Sequence, residues 1–298
     1  MLELLNLPKE IYSRFGTIKR ARKCFLYTAK GVRLTDLWQE NGRAILGWGG
    51  SVFTVFKNVL ERGITGNYFT DFSAPCGREK NQLDHAVSAL FGDERVAFTF
   101  SDKQAALEIG LYFSIKSTSV WKPWNSAGVD PRTINCIVFA PPLPWASDIY
   151  VLAVKKDAIK FLALDEEQLK AQVQKLVTRY KGFAGEVFLP APVCAAVTRS
   201  IYDLIKALQE REEKHWFIYD QIISKYWERR GPYLFPKIPE SDYQAFVLHC
   251  LECHLVISPR YNLPSIVPFG ADKGNFSLLK NNPFEYDSNS NAQSLEGV

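Results

Sequence analysis

The alternation of apolar and polar positions predicts a mixed first half and a mainly helical second half. The first twenty residues space their apolar side chains as a short amphipathic helix. Two extended runs follow, Gly31–Trp38 and Arg43–Gly47, and the Asn41-Gly42 pair between them predicts a hairpin, because both residues tolerate positive φ. Ser51 reads as an N-cap, and Val52, Val55, Phe56, Val59 and Leu60 recur at helical spacing before Gly63. A second helix is expected over 79–91. The apolar run Arg95–Phe100 has strand length, and Ser101-Asp102 then starts a helix that continues to Phe113, which makes one βα unit. Residues 117–134, with Trp121, Pro123, Trp124, Gly128 and Pro131, read as loop. Cys136–Ala140 and Asp148–Val154 are buried-strand candidates separated by Pro141–Pro144.

Helices are expected over 166–180, from Pro190 or Pro192 to about Arg211, and over 213–229. After Gly231-Pro232 come a short strand at Tyr233–Phe235, a helix from Ser241 to His254, and a strand at Leu255–Ile257. The order implies an N-terminal arm with the hairpin over 1–46, packing on a small domain. A large α/β domain with long connecting helices covers 47–229, and a small α+β domain covers 230–280. Residues 281–298, rich in Asn and Ser, read as a flexible tail.

Of the 298 residues 47% are apolar, enough for a large core, and the net charge of +4 comes from interspersed Lys, Arg, Asp and Glu. The basic clusters Lys19–Lys23 (one alanine included) and Arg229-Arg230 lie in no nucleic-acid-binding module, so no nucleic acid is expected. The N-terminal stretch lacks a basic region ahead of an uninterrupted apolar core, and no run of about eighteen apolar residues occurs. A cytoplasmic protein with no membrane partner is expected, its six cysteines reduced and buried. Cys250–His254 has the C-x-x-C-H spacing of haem attachment. It lies inside an apolar helix-to-strand run, where buried thiols are the better reading, so neither metal nor haem is expected.

Several segments in this order resemble one family. Gly31–Asp36 and Asn41–Leu46 are similar to the N-terminal hairpin of fold type I pyridoxal-phosphate aminotransferases, particularly the ornithine and glutamate-semialdehyde group. Gly47–Gly63 resembles that group's glycine-bearing turn and helix, and Asn81–Ala105 resembles the segment leading to its phosphate-binding turn. Val256–Ser265 looks like the small-domain strand and loop. The resemblance covers most of the chain in outline. It implies an aminotransferase-like α/β large domain with a small α+β C-terminal domain, pyridoxal phosphate, an amino-acid-like ligand and a homodimer.

Such an enzyme needs a helix N-terminus for the phosphate, a carboxylate for the pyridine nitrogen, a Schiff-base lysine and an arginine for the substrate carboxylate. The phosphate turn falls on Ser101, Asp102 and Lys103, where Asp102 would repel a phosphate. Pro141-Pro142 stand where the acid should end a strand, with Asp148 the nearest carboxylate in sequence. Lys155 and Lys156 follow a segment similar to the one that carries the family's lysine, displaced by one position. Arg260 and Lys280 are the candidates for substrate binding. Comparison with the family also implies that a block of the large domain is absent from so short a chain. The resemblance therefore implies transaminase activity that is weak or lost, a pseudoenzyme. The alternative is a non-catalytic homodimeric binding or assembly protein on the same fold.

Overall fold

The computed structural model describes residues 5–64, 82–114, 117–125, 130–145, 148–161 and 189–286. The helix expected over 166–180 and the tail beyond residue 286 lie outside these. Packing divides the chain into two compact units, Gly50–Glu210 and the combination of Met1–Gly49 with Arg211–Val298. The helical connection expected to stay with the larger unit to residue 229 does so only to Glu210.

In chain order the helices are α1 Leu7–Phe15, α2 Ser51–Glu61, α3 Gln82–Phe91, α4 Lys103–Phe113 and α5 Lys156–Phe161. They continue with α6 Ala191–Glu210, α7 Lys214–Phe217, α8 Asp220–Ile223, α9 Glu240–Glu252 and α10 Ser277–Asn281. The strands are β1 Ile18–Arg22, β2 Phe25–Thr28, β3 Arg33–Asp36, β4 Arg95–Phe100, β5 Thr118–Val120 and β6 Cys136–Phe139. Then come β7 Tyr150–Lys155, β8 Trp227–Arg230, β9 Tyr233–Pro236, β10 Leu255–Val256 and β11 Ser265–Ile266.

The unit Gly50–Glu210 is a sheet in the order β4-β7-β6-β5. β5 and β6 are parallel, whereas β7 runs antiparallel to both β6 and β4. Side chains alternate across the strands, so each face is apolar. Phe98, Phe100, Val138, Leu152 and Val154 pack with Ala106, Ile109 and Phe113 of α4. Ile137, Phe139, Val151 and Ala153 pack with Val87 and Phe91 of α3, Val52 of α2 and Val197 and Ile201 of α6. The result is three layers, helices on both faces of a sheet. Glycine at 110 allows α4 its close approach: a Cβ there would lie 2.8 Å from Thr118 Cγ2 and 3.2 Å from Leu152 Cδ1.

Among the described residues β4 is an edge strand, and α3 lies along its free side. Asp84 Oδ1 accepts the Ala97 N–H at 2.7 Å. One turn later, Ser88 Oγ accepts the Arg95 N–H at 3.0 Å and donates to the Arg95 carbonyl at 3.3 Å. At the start of α2, Ser51 is the first helical residue instead of the cap, which is Gly50. Its hydroxyl donates to Asp203 Oδ2 of α6 at 2.6 Å.

In the second unit β1, β2 and β3 form an antiparallel meander, and β10 joins β3 in parallel. The expected hairpin between 31–38 and 43–47 does not form. β3 pairs with β2 and β10 instead, and residues 39–47 make a compact turn. Gln39, Glu40 and Asn41 have φ of 50°, 48° and 56°, and Gly42 has 89°. Left-handed backbone costs a non-glycine residue roughly 1–2 kcal/mol, so this turn must be held. Asp36 holds it. Its Oδ1 accepts the Trp38 and Gln39 N–H groups at 3.0 and 2.8 Å, and its Oδ2 accepts Trp48 Nε1–H at 2.8 Å. Burial nevertheless raises the Asp36 carboxyl above its ordinary value, against the lowering effect of these donors.

Three other expectations are corrected. The loop over 117–134 contains β5, whose three residues are too short to stand out in a stretch of Trp and Pro. The helix over 213–229 is two single turns, α7 and α8, followed by β8, which pairs with β9 around Gly231. The first residues of the supposed tail are docked. The Phe284 N–H donates to Tyr226 Oη at 2.9 Å, and Tyr286 Oη donates to the Lys225 carbonyl at 2.8 Å.

Candidate functional site

Because β4, β5 and β6 point the same way and β7 is reversed, one edge of the sheet gathers four chain segments. They are Ser101–Lys103 after β4, Trp121-Lys122 after β5, Ala140–Leu143 after β6, and Asp148-Ile149 before β7. The carboxyl edge of such a sheet is where α/β proteins bind ligands. The structure thus brings Ser101, Asp102, Lys103 and Asp148 to one edge. It does not bring Lys155 and Lys156 there. In the β4–β7 register Phe100 opposes Tyr150 and Arg95 opposes Lys155. Five residues of strand, about 17 Å, separate the two ends.

At the far edge both lysines have local partners. Lys155 Nζ donates to the Arg132 carbonyl and lies 3.4 Å from Asp93 Oδ2. Lys156 Nζ lies 3.0 Å from Glu94 Oε2. The centre of this edge is Arg95, fully buried, its fork paired with both oxygens of Asp93 and donating to the carbonyls of Ile134 at 2.8 Å and Pro131 at 3.0 Å. Its guanidinium sits over the Phe91 ring, 5.2 Å from the centroid.

The described residues of the gathered edge do not fit pyridoxal phosphate. The Asp102 carboxylate caps α4, with Oδ1 accepting the Ala105 N–H at 2.9 Å, so a negative charge already occupies the position a phosphate would take. β6 runs into Pro141 and Pro142, both buried, and neither can support a pyridine nitrogen. Asp148 is exposed on the other side of the intervening loop. Among the residues the sequence singled out, no lysine other than Lys103 reaches this edge, and Lys103 points from the first turn of a helix into an exposed position.

Lys122 was missed, because β5 was read as loop and the residue after it had no strand to end. Its ammonium is held below its ordinary value, first by loss of hydration and then by the positive charge of Lys103, although the side chain as a whole is exposed. An amine so placed is a better nucleophile than an ordinary lysine. Arg260 and Lys280 belong to the other unit and are exposed there, Arg260 in the turn after β10 and Lys280 on α10. The five described cysteines are buried thiols, and Cys253 Sγ contacts His249 Nε2 at 3.8 Å. Among the described residues no three His, Cys, Asp or Glu side chains converge as a metal set, and no helix is long and apolar enough to cross a membrane.

No family model matches the sequence. An uncharacterized protein of Treponema pallidum (strain Nichols) is 27% identical over 292 residues, covering 87% of this chain and 91% of that one. A second, from Borreliella burgdorferi, is 23% identical over 288 residues, covering 93% of each. Among solved structures, the ornithine aminotransferase of Plasmodium yoelii superposes with a TM-score of 0.60 at 11% identity, covering 88% of this chain and 90% of its own. The acetylornithine aminotransferase of Elizabethkingia anophelis gives 0.59 at 11% identity, with 91% and 96% covered. A glutamate-1-semialdehyde aminomutase of Pseudomonas aeruginosa PAO1 gives 0.57 at 10%, with 89% and 85% covered. Identities this low speak for architecture alone, and the architecture is the one the sequence resembles: this chain has the α/β fold of the fold type I aminotransferases.

Proposed function

We propose that this chain is an aminotransferase-like pseudoenzyme, which keeps the fold and has lost transamination, and that it acts as a homodimeric binding or assembly protein in the cytoplasm. The observation that carries the reading is the β4–β7 register. It leaves Lys155 and Lys156 a strand length from the phosphate turn, in ion pairs with Asp93 and Glu94. The Asp102 cap on α4 supports it independently. The homodimer and the compartment rest on the resemblance and on the sequence, and sedimentation velocity of the purified chain tests the first.

The decisive experiment is a visible absorbance titration with pyridoxal phosphate, followed by borohydride reduction and peptide mapping. The expected spectrum is that of free cofactor, with no site-specific adduct. An internal aldimine band trapped on one lysine would overturn the reading. Lys122, the amine at the gathered edge with a lowered proton affinity, is the residue to look for in that case.

A further inference from the structure

An apolar groove of about 450 Å³ lies between α1, the strands β1 and β2, and the turn after β3. Its floor is Leu7, Ile11 and Val256, all buried, and its rim is Tyr12 and Ile18, both exposed. Between floor and rim stand Trp38, Trp48 and Glu40, each half-buried. The volume falls within the roughly 300–1,000 Å³ of small-molecule pockets.

Two carboxylates line this otherwise apolar space, and they differ in what they already hold. Both oxygens of Asp36 accept hydrogen bonds, from the Trp38 and Gln39 N–H groups and from Trp48 Nε1–H. The Glu40 carboxylate accepts none and pairs with no cation among the described residues. Loss of hydration raises its carboxyl above the ordinary value, and the charge of Asp36 raises it further. Its oxygens are not sealed in, in contrast to Gln39 Oε1 one residue earlier. A partly desolvated carboxylate without a partner costs free energy that a cation in the groove recovers. The backbone beneath it is fixed, because Asp36 holds the turn in which Glu40 has φ 48°. Trp38 and Trp48 add two indoles, the rings that attract organic cations most strongly.

We infer that this groove binds an organic cation with an apolar body, of the aryl-alkylammonium kind. The ammonium meets Glu40, and the body covers the apolar walls. A neutral apolar molecule leaves Glu40 unpaired, an anion is repelled by both carboxylates, and a bare ammonium leaves the walls wet. Every lining residue belongs to the unit of Met1–Gly49 and Arg211–Val298, so the site does not depend on the reading of the sheet edge in the other unit.

Calorimetric titration of the full chain with benzyltrimethylammonium, tetramethylammonium and benzyl alcohol tests the inference. A quaternary nitrogen forms no imine, so its binding is separate from any Schiff-base chemistry. Benzyltrimethylammonium is expected to bind about tenfold more tightly than either of the others, since it alone satisfies the carboxylate and the walls together. Glu40→Gln is expected to bring it down to the level of benzyl alcohol and to leave benzyl alcohol unchanged. Tyr12→Ala, at an exposed rim position, is expected to weaken both. Equal or tighter binding of benzyl alcohol by the wild-type chain would overturn the inference even if Glu40→Gln fails to fold, and so would a preference for the cation that survives Glu40→Gln. Failure of benzyltrimethylammonium to bind overturns it as well. In that case a dimer that Ile18→Glu dissociates in sedimentation velocity identifies a second copy as the occupant, and binding that appears only on removal of residues 1–4 identifies the chain's own N-terminus.

Discussion

Arg95 holds together the edge of the sheet at which Lys155 and Lys156 lie, and its removal is the sharpest test of the structure. Arg95→Met keeps much of the side chain's length but takes away the pair with Asp93 and the donors to the carbonyls of Ile134 and Pro131. Breaking a buried ion pair by deleting one partner costs about 3–5 kcal/mol. With a urea m-value of about 2–3 kcal/mol/M for a domain of this size, the midpoint should fall by about 1–2 M. Circular dichroism and tryptophan emission should be followed together, because the two units can unfold separately. Adding Asp93→Asn to Arg95→Met should recover part of the loss by neutralising the stranded carboxylate. Lys155→Met, which removes an ion partner that is 23% exposed, should cost no more than about 1 kcal/mol. A midpoint within about 0.3 M of wild type for Arg95→Met would refute the account of this edge.

Asp102→Ala should destabilise α4 by about 1 kcal/mol through loss of its cap, while Asp102→Ser keeps most of it; thermal unfolding distinguishes the two. Gly110→Ala should lower the melting temperature, because the 2.8 Å approach to Thr118 Cγ2 makes the added methyl an overpacking of about 1–3 kcal/mol, more than the helix gains. Burial pushes the thiols of Cys24 and Cys136 up to about 11 and that of Cys194 up to about 12, from an ordinary 9.0. The native state then keeps protons that the unfolded chain releases, so stability should fall as pH rises above about 9, by about 1.4 kcal/mol per pH unit for each thiol. Urea midpoints between pH 8 and 10 measure the slope, and Cys194→Ala should reduce it by one thiol's share.

The central α/β unit was legible because its signals are local. Arg95–Phe100 is apolar throughout, Asp102 caps a helix three residues before Ala105, and Cys136–Phe139 and Tyr150–Lys155 are continuous buried runs. What the sequence concealed depends on partners far along the chain. Asn41-Gly42 has the composition of a hairpin turn, yet the Asp36 carboxylate and Trp48 draw residues 37–48 into a different shape, and β2 takes the edge of β3. Lys19–Lys23 reads as a basic cluster, but most of it is the strand β1, recognisable only beside β2. Trp227–Arg230 continues a helical pattern until β9 pairs with it. The residues singled out for the site do not all lie at one edge of the sheet, for one reason above all. A strand's direction within a sheet is not written in its own residues, and the reversal of β7 alone carries Lys155 away from Ser101.

The side chains of Asp84 and Ser88 have a further consequence. Between them they claim both outward hydrogen-bonding groups of Arg95 and the N–H of Ala97, so this stretch of β4 offers an incoming strand a broken ladder. Two copies of this chain cannot fuse their sheets through β4 without first peeling α3 away. Under conditions that loosen α3, the newly bared strand becomes the place where orderly assembly gives way to aggregation.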